Sequence, residues 1–324
     1  MSANLDLASE RAVSSMPLPP AETLLPQIKP EPWLEIDPGD VFLKGMAFDR
    51  DGNLFLMAAY PGEVDKSMAG RMDRSILKIT PDKKVTTIVR RQGMRMCGHA
   101  LHKDGRLFIA CLTGELLVSN PDGSDLHTIN SRCDGRPQRL NDLVFDDEGK
   151  LYVTDFTGYP GNATGGVYRW SADFEAVEAF MPNLVTPNGI TFSADENSLW
   201  VGCTLANQLF RLALSADRNS VHQASVLYHL SGAAGADGMC VDVLGNMYLA
   251  INFQGRILIF NKYGIPIASV LMPGREDGKL LSTTNVAFKP GTNEVFVTAS
   301  GETSGAWIFT LKGLAEGARL FSHR

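Results

Sequence analysis

Apolar and polar residues alternate along this chain in short runs, with turn residues every few positions. Strict alternation of this kind is the signature of half-buried β-strands, and Asp-Gly or a relative between two runs marks a hairpin. Six segments share one pattern: a polar or small starter, usually a glycine, an apolar run, a turn, and a second apolar run. They are KGMAFDRDGNLFLM, CGHALHKDGRLFIA, NDLVFDDEGKLYVT, NGITFSADENSLWVG, DGMCVDVLGNMYLA and TNVAFKPGTNEVFVT, beginning at Lys44, Cys97, Asn141, Asn188, Asp237 and Thr284. The spacings are 53, 44, 47, 49 and 47 residues. A blade of four short strands needs about 40–50 residues. Runs such as SILKIT, GVYRW, QLFRLAL and RILIFN supply the outer strands. Long helical periodicity is absent, and residues 1–16 and 312–319 could hold only short helices. The pattern predicts an all-β six-bladed β-propeller.

That reading divides the chain into a loose N-terminal arm, residues 1–30, and a single propeller domain, residues 31–324. A propeller closes on itself, so no further boundary is expected.

Aligning the repeats stacks one residue per blade: Lys44, Cys97, Asn141, Asn188, Asp237 and Thr284. The innermost strand of each blade lines the channel, so these six starters converge at one channel mouth. Two amides, a carboxylate, an amine, a thiol and a hydroxyl have no structural need to meet there. Buried polar groups require partners, which makes the ring a candidate site for a ligand or ion. Taken singly, Asn188-Gly189 and Asp237-Gly238 read as turns; only their alignment favours a shared site.

Other residues enter by position. His99 follows Cys97 by two and shares its strand parity, so it could face the same space and carry protons. His102 aligns with the turn aspartates and is expected to be exposed. Met46, Phe156, Tyr159, Met239 and Phe253 are expected to shape an apolar pocket around the mouth, under a glycine-rich lid, Gly158–Gly166.

Composition narrows the partners. The net charge of −6 excludes the basic footprint of a nucleic-acid binder. No run reaches the roughly 18 apolar residues of a membrane helix, and the N-terminus lacks the order of a secretory signal. A cytoplasmic protein with a small-molecule substrate is the expectation; the oligomeric state is not legible. The five cysteines form no CxxC pair, which argues against a disulfide framework or a structural zinc site.

The runs RLNDLVFDDEGKLYVTDFTG, TPNGITFSADENSLWVG, GADGMCVDVLGNMYLA and STTNVAFKPGTNEVFVT resemble the SMP-30/gluconolactonase/luciferin-regenerating-enzyme family. EPWLEI, FNKYGIPIASVLMPGREDG and GYPGNATGGVYRWSADF are similar to the Drp35-type bacterial lactonases within it. The resemblance implies a six-bladed propeller that hydrolyses lactones with one divalent metal, usually calcium, in the channel. It implies metal ligands at Asn141, Asn188 and Asp237, together with a first-blade glutamate. Here that glutamate is replaced by Lys44, an ammonium that donates hydrogen bonds and repels a dication.

Two arrangements follow. Either a metal is retained as Lewis acid, or the Lys44 ammonium takes its place among Asn141, Asn188 and Asp237. Asp237 is the expected base, with Lys44, Cys97 and His99 as further catalytic candidates. Asn141, Asn188, Thr284, Phe156 and Tyr159 are expected to bind substrate. Two other functions stay open: carbonyl chemistry, such as a lyase reaction, with Lys44 as nucleophile, and a non-catalytic small-molecule-binding propeller.

Overall fold

A computed structural model describes residues 16–61, 73–129, 133, 135, 138–232 and 235–324. The chain forms six small sheets, and the first strand of each is its inner edge. These inner strands are Phe42–Phe48, Met96–Leu101, Leu140–Phe145, Pro187–Phe192, Ala236–Val241 and Ser282–Phe288. Each touches the inner strand of the next blade, and the last touches the first, so the ring is closed. The architecture is the six-bladed β-propeller that the repeat predicts.

Burial follows from this geometry. Both faces of a blade are covered by neighbours, so inner strands are buried throughout instead of alternating; Phe42–Phe48 shows no exposed position. Outer strands meet solvent, as Val85–Gln92 does along most of its length. The apolar core is six clusters, one in each gap between blades. Trp170 and Leu143 sit between blades two and three, for instance, and Trp200 and Met247 between four and five.

The recurrent hairpin turn has a specific cause. Asp49, Asp146 and Asp242 each accept a backbone N–H from the residue four positions on: Asn53, Lys150 and Asn246. Carboxylate-to-backbone bonds of this kind stabilise the turn locally. His102 departs from this pattern. Instead of lying exposed it packs among Phe108, Phe145, Phe174 and Phe321, because the C-terminal segment covers that turn. Residues 312–319 hold no helix; among the described residues, helical turns are confined to Pro20–Glu22, Arg275–Asp277 and Phe321–His323. Residues 1–15, the rest of the region read as a possible short helix, lie outside the described residues. No helix among the described residues is long and apolar enough to cross a membrane.

The ring is sealed by the N-terminal segment. Glu31–Asp37 pairs with Gly305–Lys312 as the outer strand of the sixth blade. From Pro20 onward the arm is not loose. Gln27–Ile28 adds a parallel strand to the fifth blade, and Glu22 is fully buried in an ion pair with Arg256. Tyr228 donates to the other Glu22 oxygen at 2.8 Å, and Arg256 Nε donates to Gln254 at 3.0 Å.

Removing one partner of a buried ion pair leaves an uncompensated charge. Glu22→Ala is therefore expected to lower unfolding free energy by about 3–5 kcal/mol in a denaturant titration. An unchanged midpoint would show that the arm contributes nothing to the fold.

Candidate active site

The register of the inner strands explains how the ring is built. All six inner strands shift register against their neighbour at the ring: between Lys44 and Met46, Met96 and His99, Leu140 and Leu143, Pro187 and Ile190, Ala236 and Met239, and Thr283 and Asn285. A β-bulge inserts an unpaired residue and re-aims side chains. Six bulges at one level interrupt the strand alternation of every blade at the ring.

The residue after each starter is glycine in four blades because the strands crowd there. A Cβ on Gly189 would overlap the carbonyl oxygen of Asp237. One on Gly98 would lie 2.5 Å from Asp142 Oδ1.

Three members of the ring bond directly. Lys44 Nζ donates to Asn188 Oδ1 at 2.8 Å and to Asp237 Oδ1 at 2.7 Å, all three side chains being buried. Asn188 Nδ2 donates to Thr204 Oγ1 at 3.0 Å, and Asn252 Nδ2 donates to Asp237 Oδ2 at 3.1 Å. Asn141 is buried, and its Oδ1 has no partner. Burial is the largest influence and disfavours the Lys44 charge, but Asp237, Cys97 and Asp142 together hold the ammonium above its ordinary range. Burial lifts Asp237 above the usual carboxylate range, against the pull of Lys44.

The other predicted residues divide. Cys97 is buried beside the cluster, with Sγ 3.8 Å from Arg74 Nη1. The Thr284 hydroxyl turns away from the axis, donating to the Leu43 carbonyl and meeting the Thr298 hydroxyl at 2.9 Å. Phe156, Tyr159 and Phe253 follow the second strands of their blades and stand at the same mouth as the ring, Tyr159 and Phe253 exposed. The Gly158–Gly166 segment makes a turn closed by Tyr159 and Asn162 before entering the strand at Gly165.

His99, Met46 and Met239 lie elsewhere. They line a cavity of about 820 Å³ below the ring, bounded at its far end by the C-terminal segment around Phe321. The bulge at Gly98 breaks the parity that would have kept His99 level with Cys97. Burial drives the His99 imidazole down to about 4, so it is neutral near pH 7 and cannot shuttle protons as an imidazolium.

The sequence reading missed Asp142, Thr204 and Asn252. Asp142 sits one level below the ring where four blades carry glycine, and burial pushes its carboxyl up to about 6. Its departure from that glycine was the available signal. Thr204 and Asn252 both directly follow the second strands of their blades and carry no repeat signal of their own.

With this geometry in view, comparison with known proteins is informative. Residues 72–301 match the SMP-30/Gluconolactonase/LRE-like region. A curated relative, "Lactonase drp35" of Staphylococcus saprophyticus, is 39% identical over 314 residues, spanning 94% of this chain and 93% of the relative. The chain belongs to the SMP-30/gluconolactonase family. "Lactonase drp35" of Staphylococcus aureus (strain USA300) is 36% identical over 311 residues, covering 93% and 92% of the two chains. Among solved structures, a gluconolactonase from Xanthomonas campestris superposes with a TM-score of 0.67 at 20% identity, covering 85% of this chain and 88% of that one. A calcium-binding protein, regucalcin, from Agrobacterium tumefaciens superposes at 0.71 and 20% identity, covering 90% and 98%. Those two likenesses concern the fold.

The family implies a divalent metal, and the residues present do not fit one. Of the three oxygens that would face a cation, those on Asn188 and Asp237 accept bonds from an ammonium instead, and only Asn141 Oδ1 has no hydrogen-bond partner. Lys44 and Asp237 already neutralise each other.

Calcium titrated into the purified protein should give no binding heat. Lys44→Glu, which supplies a carboxylate in place of the ammonium, should bind about one equivalent. Tight calcium binding by the unaltered protein would overturn this assignment.

Proposed function

We propose that this protein hydrolyses lactones at the ring, with the Lys44 ammonium doing electrostatically what a metal would otherwise do. The observation that carries the reading is the buried Lys44–Asp237 pair, at one channel mouth, in a family whose curated relatives are named lactonases. Two of the three Lys44 N–H donors are bonded, which leaves one for the substrate carbonyl.

In this mechanism the lactone carbonyl oxygen accepts the remaining Lys44 proton as a hydrogen bond. Asp237 removes a proton from water as the water oxygen attacks the carbonyl carbon. Negative charge gathers on the carbonyl oxygen, 

held by a fixed cation in a poorly solvated site, where such stabilisation is strongest. The ring C–O bond then breaks, and the proton on Asp237 passes to the departing alkoxide. The product is the open hydroxy acid. Asn188 and Asn252 hold the two charged groups in place, and Asn141 Oδ1 is available to accept a substrate hydroxyl or the attacking water.

The amine-nucleophile chemistry is disfavoured by the same geometry. A Schiff base requires a neutral amine, and Asp237 holds Lys44 charged.

Asp237→Asn removes the base and Lys44→Met removes the cation. Each is expected to lower kcat for lactone hydrolysis by about 10²–10³-fold, measured by acid release. Borohydride added during turnover should leave no adduct on Lys44; a trapped adduct would favour carbonyl chemistry through the amine.

A further inference from the structure

Two residues beyond each starter, past the bulges, the aligned positions are Met46, His99, Leu143, Ile190, Met239 and Val286. All six are buried, and all six line the lower cavity. They make a second ring, apolar in five blades and an imidazole in the other. Two residues further on, every blade is apolar, and four of them carry phenylalanine: Phe48, Phe145, Phe192 and Phe288. None of the six starters lines this cavity. Its volume, about 820 Å³, lies within the roughly 300–1,000 Å³ of small-molecule sites.

The second observation is His99 itself. It is 4% exposed, and neither Nδ1 nor Nε2 has a hydrogen-bond partner. The Phe55 and Cys97 carbonyls lie near enough to favour its charged form somewhat, but neither is hydrogen-bonded to it. Burial prevails and keeps the imidazole neutral, with one N–H donor and one lone-pair acceptor. A buried donor and acceptor with nothing to bond are costly unless something in the cavity completes them. Water is a poor filler here, because each buried water needs two to four polar partners. Eleven of the twelve side chains in the two lower rings are apolar.

The remaining lining sets the charge of the occupant. Asp142 borders the same cavity, its oxygens accepting the N–H groups of Leu143 at 3.0 Å and Ile190 at 3.4 Å. A carboxyl group there opposes an anion, and two apolar rings oppose any charge. An alcohol suits both requirements. Its hydroxyl donates and accepts, so it can bond either imidazole nitrogen, while its hydrocarbon part meets the apolar walls.

We propose that the lower cavity is a second ligand site, for a compact neutral alcohol whose hydroxyl bonds His99 and whose hydrocarbon body packs between Met46 and Met239. The site is independent of lactone hydrolysis at the ring, and its test involves no turnover.

The test uses the full chain with carbon-13 in its methionine methyl groups, and three probes of one shape: indanol, indane and the matching indane carboxylate. Indanol should shift the Met46 and Met239 signals saturably, while Met57 and Met247, which do not line the cavity, stay in place. The carboxylate should shift neither Met46 nor Met239. His99→Leu removes the hydrogen bond and keeps an apolar wall. It should weaken indanol binding by about 5- to 10-fold and leave indane unchanged. In the unaltered protein, indanol should also move the nitrogen-15 signals of the His99 ring, a readout that requires no variant. A cavity that holds only water would give no saturable shift of Met46 or Met239, and that result would overturn the proposal. So would tighter binding of the carboxylate than of the alcohol, unmoved His99 ring signals at saturation, or an equal loss of indanol and indane in His99→Leu.

Discussion

The buried ion pair between Lys44 and Asp237 is the constraint around which this channel is organised. An ammonium in a buried ring needs a carboxylate, and a buried carboxylate needs a cation. Their 2.7 Å contact joins the first blade to the fifth across the axis. Asn188 brings in the fourth blade, and Asn252 fixes the far oxygen of Asp237. Pairing charges across the channel couples catalytic geometry to closure of the fold, since each partner comes from a different blade. Breaking either partner leaves the other buried and uncompensated, which costs more than the pair itself contributes.

That pair also decides the kind of electrostatics available. A divalent ion would bring two positive charges and demand several oxygen ligands. An ammonium brings one charge, three directed donors and no open coordination sphere. Two donors are committed to the protein. In the mechanism proposed here, the chemistry left to this site is hydrogen-bond and charge stabilisation of an oxyanion, with proton transfer through Asp237. On that proposal, one substitution on the first inner strand shifts how the reaction is supported within a family of shared fold.

The levels of the channel have distinct physical roles. At the ring, where all six inner strands carry bulges, Lys44, Asn188 and Asp237 meet. Below it, glycines let the strands crowd, with Asp142 and Asn285 the exceptions. Lower still, His99, Met46 and Met239 line a cavity that Asp142 and Asn285 also border. The division follows from bulges at one height, which reset the side-chain direction of everything beyond them.

Much of this was legible in the sequence because it is periodic. The starter positions, the hairpin aspartates and the blade count all repeat, so alignment of the chain with itself located the ring, and resemblance singled out Asn141, Asn188 and Asp237 within it. Lys44 stood out as the residue that departs from the family. The errors came where periodicity has no purchase. His99 was placed with Cys97 by strand parity, which a bulge at Gly98 breaks. Met46 and Met239, expected at the mouth, also lie beyond the bulges of their strands, in the lower cavity. Glu22 belongs to no repeat, yet it is buried against Arg256 from a strand more than two hundred positions away. The sequence by itself determined the repeating unit and the residues presented to the axis, because both depend on local alternation. Tertiary structure alone decided which of those residues bond, which turn aside like Thr284, and which unpaired groups face one another, because those contacts exist only once the ring closes.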